Sequence, residues 1–193
     1  MKRLWLMLPA ACLLLTGCVV LSVFPFYDES DLVSSEPMFG KWIPAEDPNA
    51  GRESYLFRKW DAKGCWFEGT DSDGHTNLVG EAHLFQLGST RYLDLAVDQS
   101  DGAPQLLRAH LVLKVSVSSS ALEWQLLDFD WMNALLRKEP GKLSRQFQRD
   151  SNGVVRDQDW YLTASSRELR QFLKDLPADS PAWGEKQRWK RAP

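Results

Sequence analysis

Between positions 107 and 117 the chain alternates strictly. Leu107, Ala109, Leu111, Leu113, Val115 and Val117 fall on one side, and Arg108, His110, Lys114 and Ser116 on the other. Successive side chains of a strand point to opposite faces, so this stretch reads as a half-buried strand and not as a helix. Val112 is the one apolar residue on the side expected to be wet. Alternation of this kind belongs to antiparallel sheets with one solvated face.

The same period recurs along most of the chain. Phe39-Gly40-Lys41-Trp42-Ile43 is a short strand ahead of Pro44 and Pro48. Tyr55, Phe57 and Lys59 alternate with Leu56, Arg58 and Trp60, and Asp61-Ala62-Lys63-Gly64 turns the chain into a strand over 65–69. Asp71-Ser72-Asp73-Gly74 is a second turn, leading into a strand over 78–87. After Gly88-Ser89, Arg91, Leu93, Leu95 and Val97 share one face, with Tyr92, Asp94 and Asp98 opposite. Past Ser118-Ser119-Ser120, Leu122, Trp124 and Leu126 alternate with Glu123 and Gln125.

Two helices interrupt this series. Asp130 can cap a helix near 131–138 that carries Trp131, Leu135 and Leu136 and ends at Pro140-Gly141. Ser165-Ser166-Arg167-Glu168 is a capping box for a helix near 166–176, whose Leu169, Phe172, Leu173 and Leu176 form an apolar stripe stopped by Pro177. Strands over 143–149 and 159–163 flank Asn152-Gly153, and a basic, Trp-containing tail over 181–193 is expected to be mobile. About eight strands at hairpin spacing, with no βαβ rhythm, predict a mainly β fold. An antiparallel up-and-down β-barrel or strongly curved sheet is the economical form, because closure removes exposed edges.

The amino terminus has a different character. Lys2 and Arg3 precede an apolar run from Leu4 to Leu15, broken by Pro9 and too short to span a bilayer. The run closes with Leu15-Thr16-Gly17-Cys18, which resembles the lipobox of bacterial lipoproteins. In that family the cysteine sulfur receives a diacylglycerol, the chain is cut before it, and the freed amine is acylated. The resemblance implies a cleaved signal over 1–17, lipidation at Cys18 and a lipid-anchored place in the cell envelope. Val19 follows where an aspartate would retain the protein at the inner membrane, which by the same resemblance implies the outer membrane.

Cleavage leaves a chain of one-domain size, with its body over 37–180. Of three cysteines, Cys12 leaves with the signal and Cys18 is lipidated, so Cys65 remains as a thiol with no internal partner, expected to be buried and inert. The acidic balance offers nothing to a nucleic acid. An apolar segment follows Cys18 within 18–36, where a polar tether is usual; it either packs on the domain or lies at the lipid surface. Packing is favoured, because Asp28-Glu29-Ser30-Asp31 would be repelled by anionic headgroups.

Gly40-Lys41-Trp42 resembles the G-x-W of the first strand of lipocalins, where the Trp closes one barrel end and the Gly permits close backbone approach. The later lipocalin signatures, a T-D-Y turn motif and a closing arginine, find no match in the sequence. Among candidate site residues, Glu81 and His83 share a strand face and could form an acid/base pair or half a metal site, or merely a structural hydrogen bond. His110 reads as a solvated surface histidine, His75 sits in a turn, and Asp71-Ser72-Asp73-Gly74 lacks the twelfth-position glutamate of a calcium loop. Trp183 and Trp189, among basic residues, could dip into an anionic leaflet, though a solvated tail is the simpler reading.

No cofactor, metal or catalytic set is expected. The sequence favours a non-enzymatic envelope lipoprotein that binds a small apolar molecule or a lipid inside a barrel, with Glu81, His83 and Trp42 as ligand-binding candidates. The alternatives are an interaction module, accessory or inhibitory to another envelope protein, and a hydrolase or metal site at Glu81 and His83. The interior of the sheet decides between the first two.

Overall fold

A computed structural model describes residues 19–46, 52–98, 108–149, 154–177 and 179–193, with the side chains of 149 and 155–159 left aside. Within them lie β1 (Gly40–Pro44), β2 (Ser54–Lys59), β3 (Gly64–Thr70), β4 (Thr76–Leu87), β5 (Thr90–Asp98), β6 (Ala109–Val117), β7 (Ala121–Leu126), α1 (Phe129–Lys138), β8 (Arg145–Arg149), β9 (Val155–Leu162), α2 (Ser166–Asp175) and β10 (Gln187–Arg191). Eight of the strands close into an antiparallel barrel, in the order β1-β10-β7-β6-β5-β4-β3-β2. The expected β-barrel with two short helices in the C-terminal half is therefore present.

The first seven barrel strands form a meander whose turns carry the expected chemistry. Asp61 Oδ1 accepts from the backbone N–H of Lys63 (2.7 Å) and Gly64 (2.6 Å), tightening the β2–β3 turn. Asp71 Oδ1 does the same for Asp73 and His75 in the β3–β4 turn. Gly88, at φ 61°, makes the β4–β5 turn in a conformation that disfavours a β-carbon.

The eighth stave is a correction to the sequence reading. Residues 181–193 are no mobile tail: β10 pairs with β1 through Trp42 and Arg191 and with β7 through Leu122 and Trp189. Trp189 points into the barrel and Trp183 into the outer core, so neither is offered to a membrane. β8 and β9, counted above among the sheet strands, instead form a separate two-stranded sheet outside the barrel, bridged to the amino-terminal segment at Leu162 and Ser22. The expected Asn152-Gly153 turn between them lies outside the described residues, as does Leu107.

There are two cores, one on each side of the barrel wall. Inside lie Trp42, Phe57, Phe67, Leu84, Leu93 and Leu122, all essentially without exposure. Outside, Phe85, Leu87, Tyr92 and Val112 project from β4, β5 and β6 beneath Met132 and Leu136 of α1 and Leu169, Phe172 and Leu173 of α2. Val112 is thus no intruder on a wet face, and Tyr92 and Asp94 are buried rather than solvated. The face is dry because the helices and the amino-terminal segment cover it.

Both helices begin at a side-chain cap. Ser165 and Glu168 form the expected box, Glu168 Oε2 accepting from Ser165 N at 2.8 Å. For α1 the cap is Asp128, two residues before the expected Asp130, with Oδ1 accepting from Trp131 N at 2.7 Å. Phe129 is buried in the outer core, which places the first turn earlier than the apolar pattern from Trp131 suggested.

Residues 19–33 form a strap across the barrel wall, in the packed arrangement expected of them. Ser22 and His110 exchange backbone hydrogen bonds of 2.8 Å, where β6 runs past the end of β7. The chain then crosses β5, where Phe26 N donates to Asp94 Oδ2 (2.9 Å), and reaches β4, where Val33 N donates to Leu84 O (3.0 Å). Arg170 of α2 grips the Asp31 carboxylate from above, Nη2 to Oδ1 at 2.7 Å. Val20 and Phe26 sink into the outer core, at 3% and 0% exposure.

Candidate functional site

One end of the barrel is shut. Trp42 Nε1 donates to Met38 O at 2.8 Å, and the Arg191 guanidinium lies over the indole, 4.4 Å from its centroid. Arg191 also donates from Nη2 to Pro37 O (2.9 Å), from Nη1 to Phe39 O and from Nε to Ser119 O (2.5 Å). It thereby ties the segment before β1 to the β6–β7 turn. Gly40 stands at φ 117°, and a β-carbon there would lie 2.6 Å from Arg191 Nη1. Arg191, read in the sequence as part of a basic tail, thus covers this end of the barrel. Trp42, a ligand-binding candidate in the sequence, is wholly buried as the plug of this end.

The opposite end opens on a narrow cleft of about 30 Å³, lined by Tyr55, Leu78, Val97, Leu126 and others, with Glu53 and Gln187 as its polar groups. About one water-sized sphere needs 10–15 Å³ of such space, so the cleft is far too small for an acyl chain. The volume between cleft and plug is filled by aromatic rings. Tyr55 meets Trp124 and Trp189 edge-on at 4.9 and 4.8 Å, and the two indoles lie 5.1 Å apart. Trp124 Nε1 donates to Gln187 Oε1 (2.8 Å), whereas Trp189 Nε1, equally buried, has no acceptor. Burial, with Glu53 adding to it, pushes the Tyr55 phenol well above its ordinary pKa.

Polar chemistry is concentrated on the outer wall. Asp94 has no exposure; its Oδ1 lies 2.7 Å from His110 Nδ1 while Oδ2 takes the Phe26 N–H. His110 is thus an anchor of the strap and not the solvated residue expected. Nothing in the sequence around Asp94 announced this, beyond a carboxylate on a face whose neighbours Tyr92 and Val112 are apolar.

Glu81 and His83 do stand on one face of β4, but they do not pair. Glu81 Oε1 meets Arg108 Nη1 at 2.9 Å, and Arg108 also binds Asp98. The expected Glu–His hydrogen bond is replaced by this salt bridge, because Arg108 reaches Glu81 across β5. His83 instead packs against Tyr27, 5.1 Å between ring centroids with the rings tilted by 33°, and its Nδ1 is buried without a partner. It forms part of the floor of an open depression of about 770 Å³. Pro25, Tyr27 and Leu32 of the strap line the depression, with Asp28 and Glu29 at its rim, Asp61 and Lys63 of the β2–β3 turn, and Ser166 of α2. Burial raises the Tyr27 phenol to about 12, with the charges of Asp94 and Glu81 adding to it.

Other candidates reduce to structure. Asp71, Asp73 and His75 bring ligand atoms within 4.8 Å of one another, but Asp71 is occupied in holding its own turn. Cys65 is buried, as expected, and donates to Ala82 O (3.4 Å), and burial raises its thiol to about 12. Cys18 and the signal over 1–17 lie outside the described residues. No helix among the described residues is long and apolar enough to cross a membrane. Comparisons with family models, with curated proteins and with solved structures find no match to this chain.

Proposed function

We propose that this is a non-enzymatic lipoprotein of the cell envelope, tethered through Cys18, whose barrel is a rigid scaffold for binding another envelope protein. The observation that carries the reading is the contrast between a barrel filled with aromatic rings, with a cleft of about 30 Å³, and a depression of about 770 Å³ on its outer wall. That depression combines an aromatic floor of Tyr27 and His83 with a rim of Asp28, Glu29 and Asp61. It is held in shape by a strap bonded at both ends. A surface of this composition suits a protein partner that brings cationic or hydrogen-bonding groups. A photo-crosslinking side chain at Ala62, in the depression, should trap one discrete partner in intact cells, while the same side chain at Lys59 should not. Recovery of the same species from both positions, or of none from Ala62, refutes the reading.

A second reading keeps a small apolar ligand at the open end of the barrel. It is supported by the unsatisfied Trp189 indole N–H beside the cleft. A ligand there could insert only a methyl-sized group and would present an acceptor to Trp189. Native mass spectrometry of detergent-extracted protein tests it, through the presence or absence of a stoichiometric bound mass.

A further inference from the structure

The depression on the outer wall has a definite electrostatic sign. At its floor Tyr27 packs against two rings, His83 at 5.1 Å and Phe85 at 5.8 Å between centroids, which fix its position. Burial raises the Tyr27 phenol, and the charges of Asp94, Glu81, Asp61 and Glu29 raise it further, so the field across the ring is negative. The lining itself contributes three carboxylates, on Asp28, Glu29 and Asp61. Asp61 is held below its ordinary pKa by the N–H groups of Gly64 and Lys63, and so stays charged well below neutral pH. Asp28 is shared with Arg170, its Oδ2 lying 3.6 Å from Nη1. Lys63 donates from Nζ to the main-chain oxygen of Glu29 (3.3 Å), and the Glu29 carboxylate has no ion pair among the described residues.

We infer that the depression is an arginine pocket, which takes the guanidinium of an arginine on the docking partner, laid against Tyr27 and bonded to Glu29 and Asp61. The inference rests on the docking surface proposed above and names the side chain that enters it. An aromatic ring in a negative field attracts a cation, and does so more strongly once water is displaced. A guanidinium suits the site better than an ammonium, because it is planar, weakly hydrated and has donors to share among separate carboxylates. Arginine is also the charged residue most at home where two proteins exclude water from between them. The same rim selects against the opposite sign: an anionic lipid surface or a nucleic acid would meet the three carboxylates.

The experiment uses the full chain in a nonionic detergent and a defined probe, the peptide acetyl-Gly-Arg-Arg-Gly-amide, with its citrulline counterpart as an uncharged isostere. The amide signals of Tyr27 and Ala62 are followed by nuclear magnetic resonance as peptide is added at low salt. The arginine peptide should shift both signals, and the citrulline peptide should bind about tenfold more weakly or less. Glu29→Gln and Asp61→Asn should each weaken binding about threefold, the effect of losing one exposed charge partner. The asparagine amide oxygen can still accept from Lys63 and Gly64, so the turn is kept. Lys63→Gln should tighten binding, a gain that damage to the fold would not produce. Equal binding of the two peptides, or shifts confined to residues outside the depression, overturns the pocket. The docking reading fails or stands separately. A partner trapped from Ala62 as strongly in the Glu29→Gln, Asp61→Asn double variant as in the unaltered chain overturns the arginine pocket and leaves the docking surface in place. Charge-dependent binding of the peptide, with no partner trapped from Ala62, supports the pocket and overturns the docking reading.

Discussion

Arg191 stacks on Trp42 at 4.4 Å and spends its remaining donors on backbone carbonyls from two separate turns. One side chain thus joins the last strand of the barrel to the first, and its plane covers the ring that plugs the end.

Arg191→Ala should cost about 3 kcal/mol in urea unfolding, combining the lost cation–π contact with carbonyls left without their charged donor. Arg191→Lys should recover less than half of this, because an ammonium cannot reproduce the planar fork. An unchanged unfolding midpoint in the alanine variant would show that the plug holds without its cover.

Removal of residues 187–193 should abolish cooperative unfolding. Without β10 the edges of β1 and β7 are bare, and Trp189 leaves the aromatic cluster around Tyr55. Near-ultraviolet circular dichroism should lose most of its tryptophan signal. A mobile tail would give no change.

Asp94→Ala should cost about 3 kcal/mol, since it strands His110 and the Phe26 N–H in a site with no exposure. The loss should be read locally as well as globally. Hydrogen exchange at Phe26 should speed up at least a hundredfold, while amides of β2 and β3 keep their protection.

Stability should fall above pH 9. The unfolded chain releases the Cys65 and Tyr27 protons near their ordinary 9.0 and 10.0, whereas the native protein keeps both to about 12. Between those limits the unfolded state binds fewer protons, so each added pH unit weakens the native state by up to about 1.4 kcal/mol per group. Cys65→Ala should remove its share of that slope and leave the profile below pH 8 unaltered, as followed by unfolding at fixed pH values.

Asp128→Ala should cost about 1 kcal/mol, and Asp130→Ala almost nothing, because only Asp128 accepts from the first turn of α1. The reverse order would restore the cap expected from the sequence.

Much of the barrel was legible in the sequence, because each meander strand advertises itself through a simple alternation. β10 was not, since Gln187, Arg188, Lys190 and Arg191 leave only Trp189 to mark an inward face. The outer core was half written: Val112 and Tyr92 signalled a covering layer, but a single apolar residue on a polar face does not say what lies above it. The site was harder still. His83 was picked for a neighbour, Glu81, that turns to Arg108, while its real companion Tyr27 comes from 56 positions earlier along a strap with no periodicity. Asp94 and His110 meet across two strands, and register of that kind follows from pairing, not from composition.

Because β10 follows every other barrel strand in the sequence and sits between β1 and β7, the ring stays open until residues 187–191 are in place. The pairing of Trp42 with Arg191 spans nearly the whole folded body, so closure is a late and comparatively slow event. A body wired in this way can assemble its seven-stave meander first, and gains its hoop only when the two ends of that meander receive their shared neighbour.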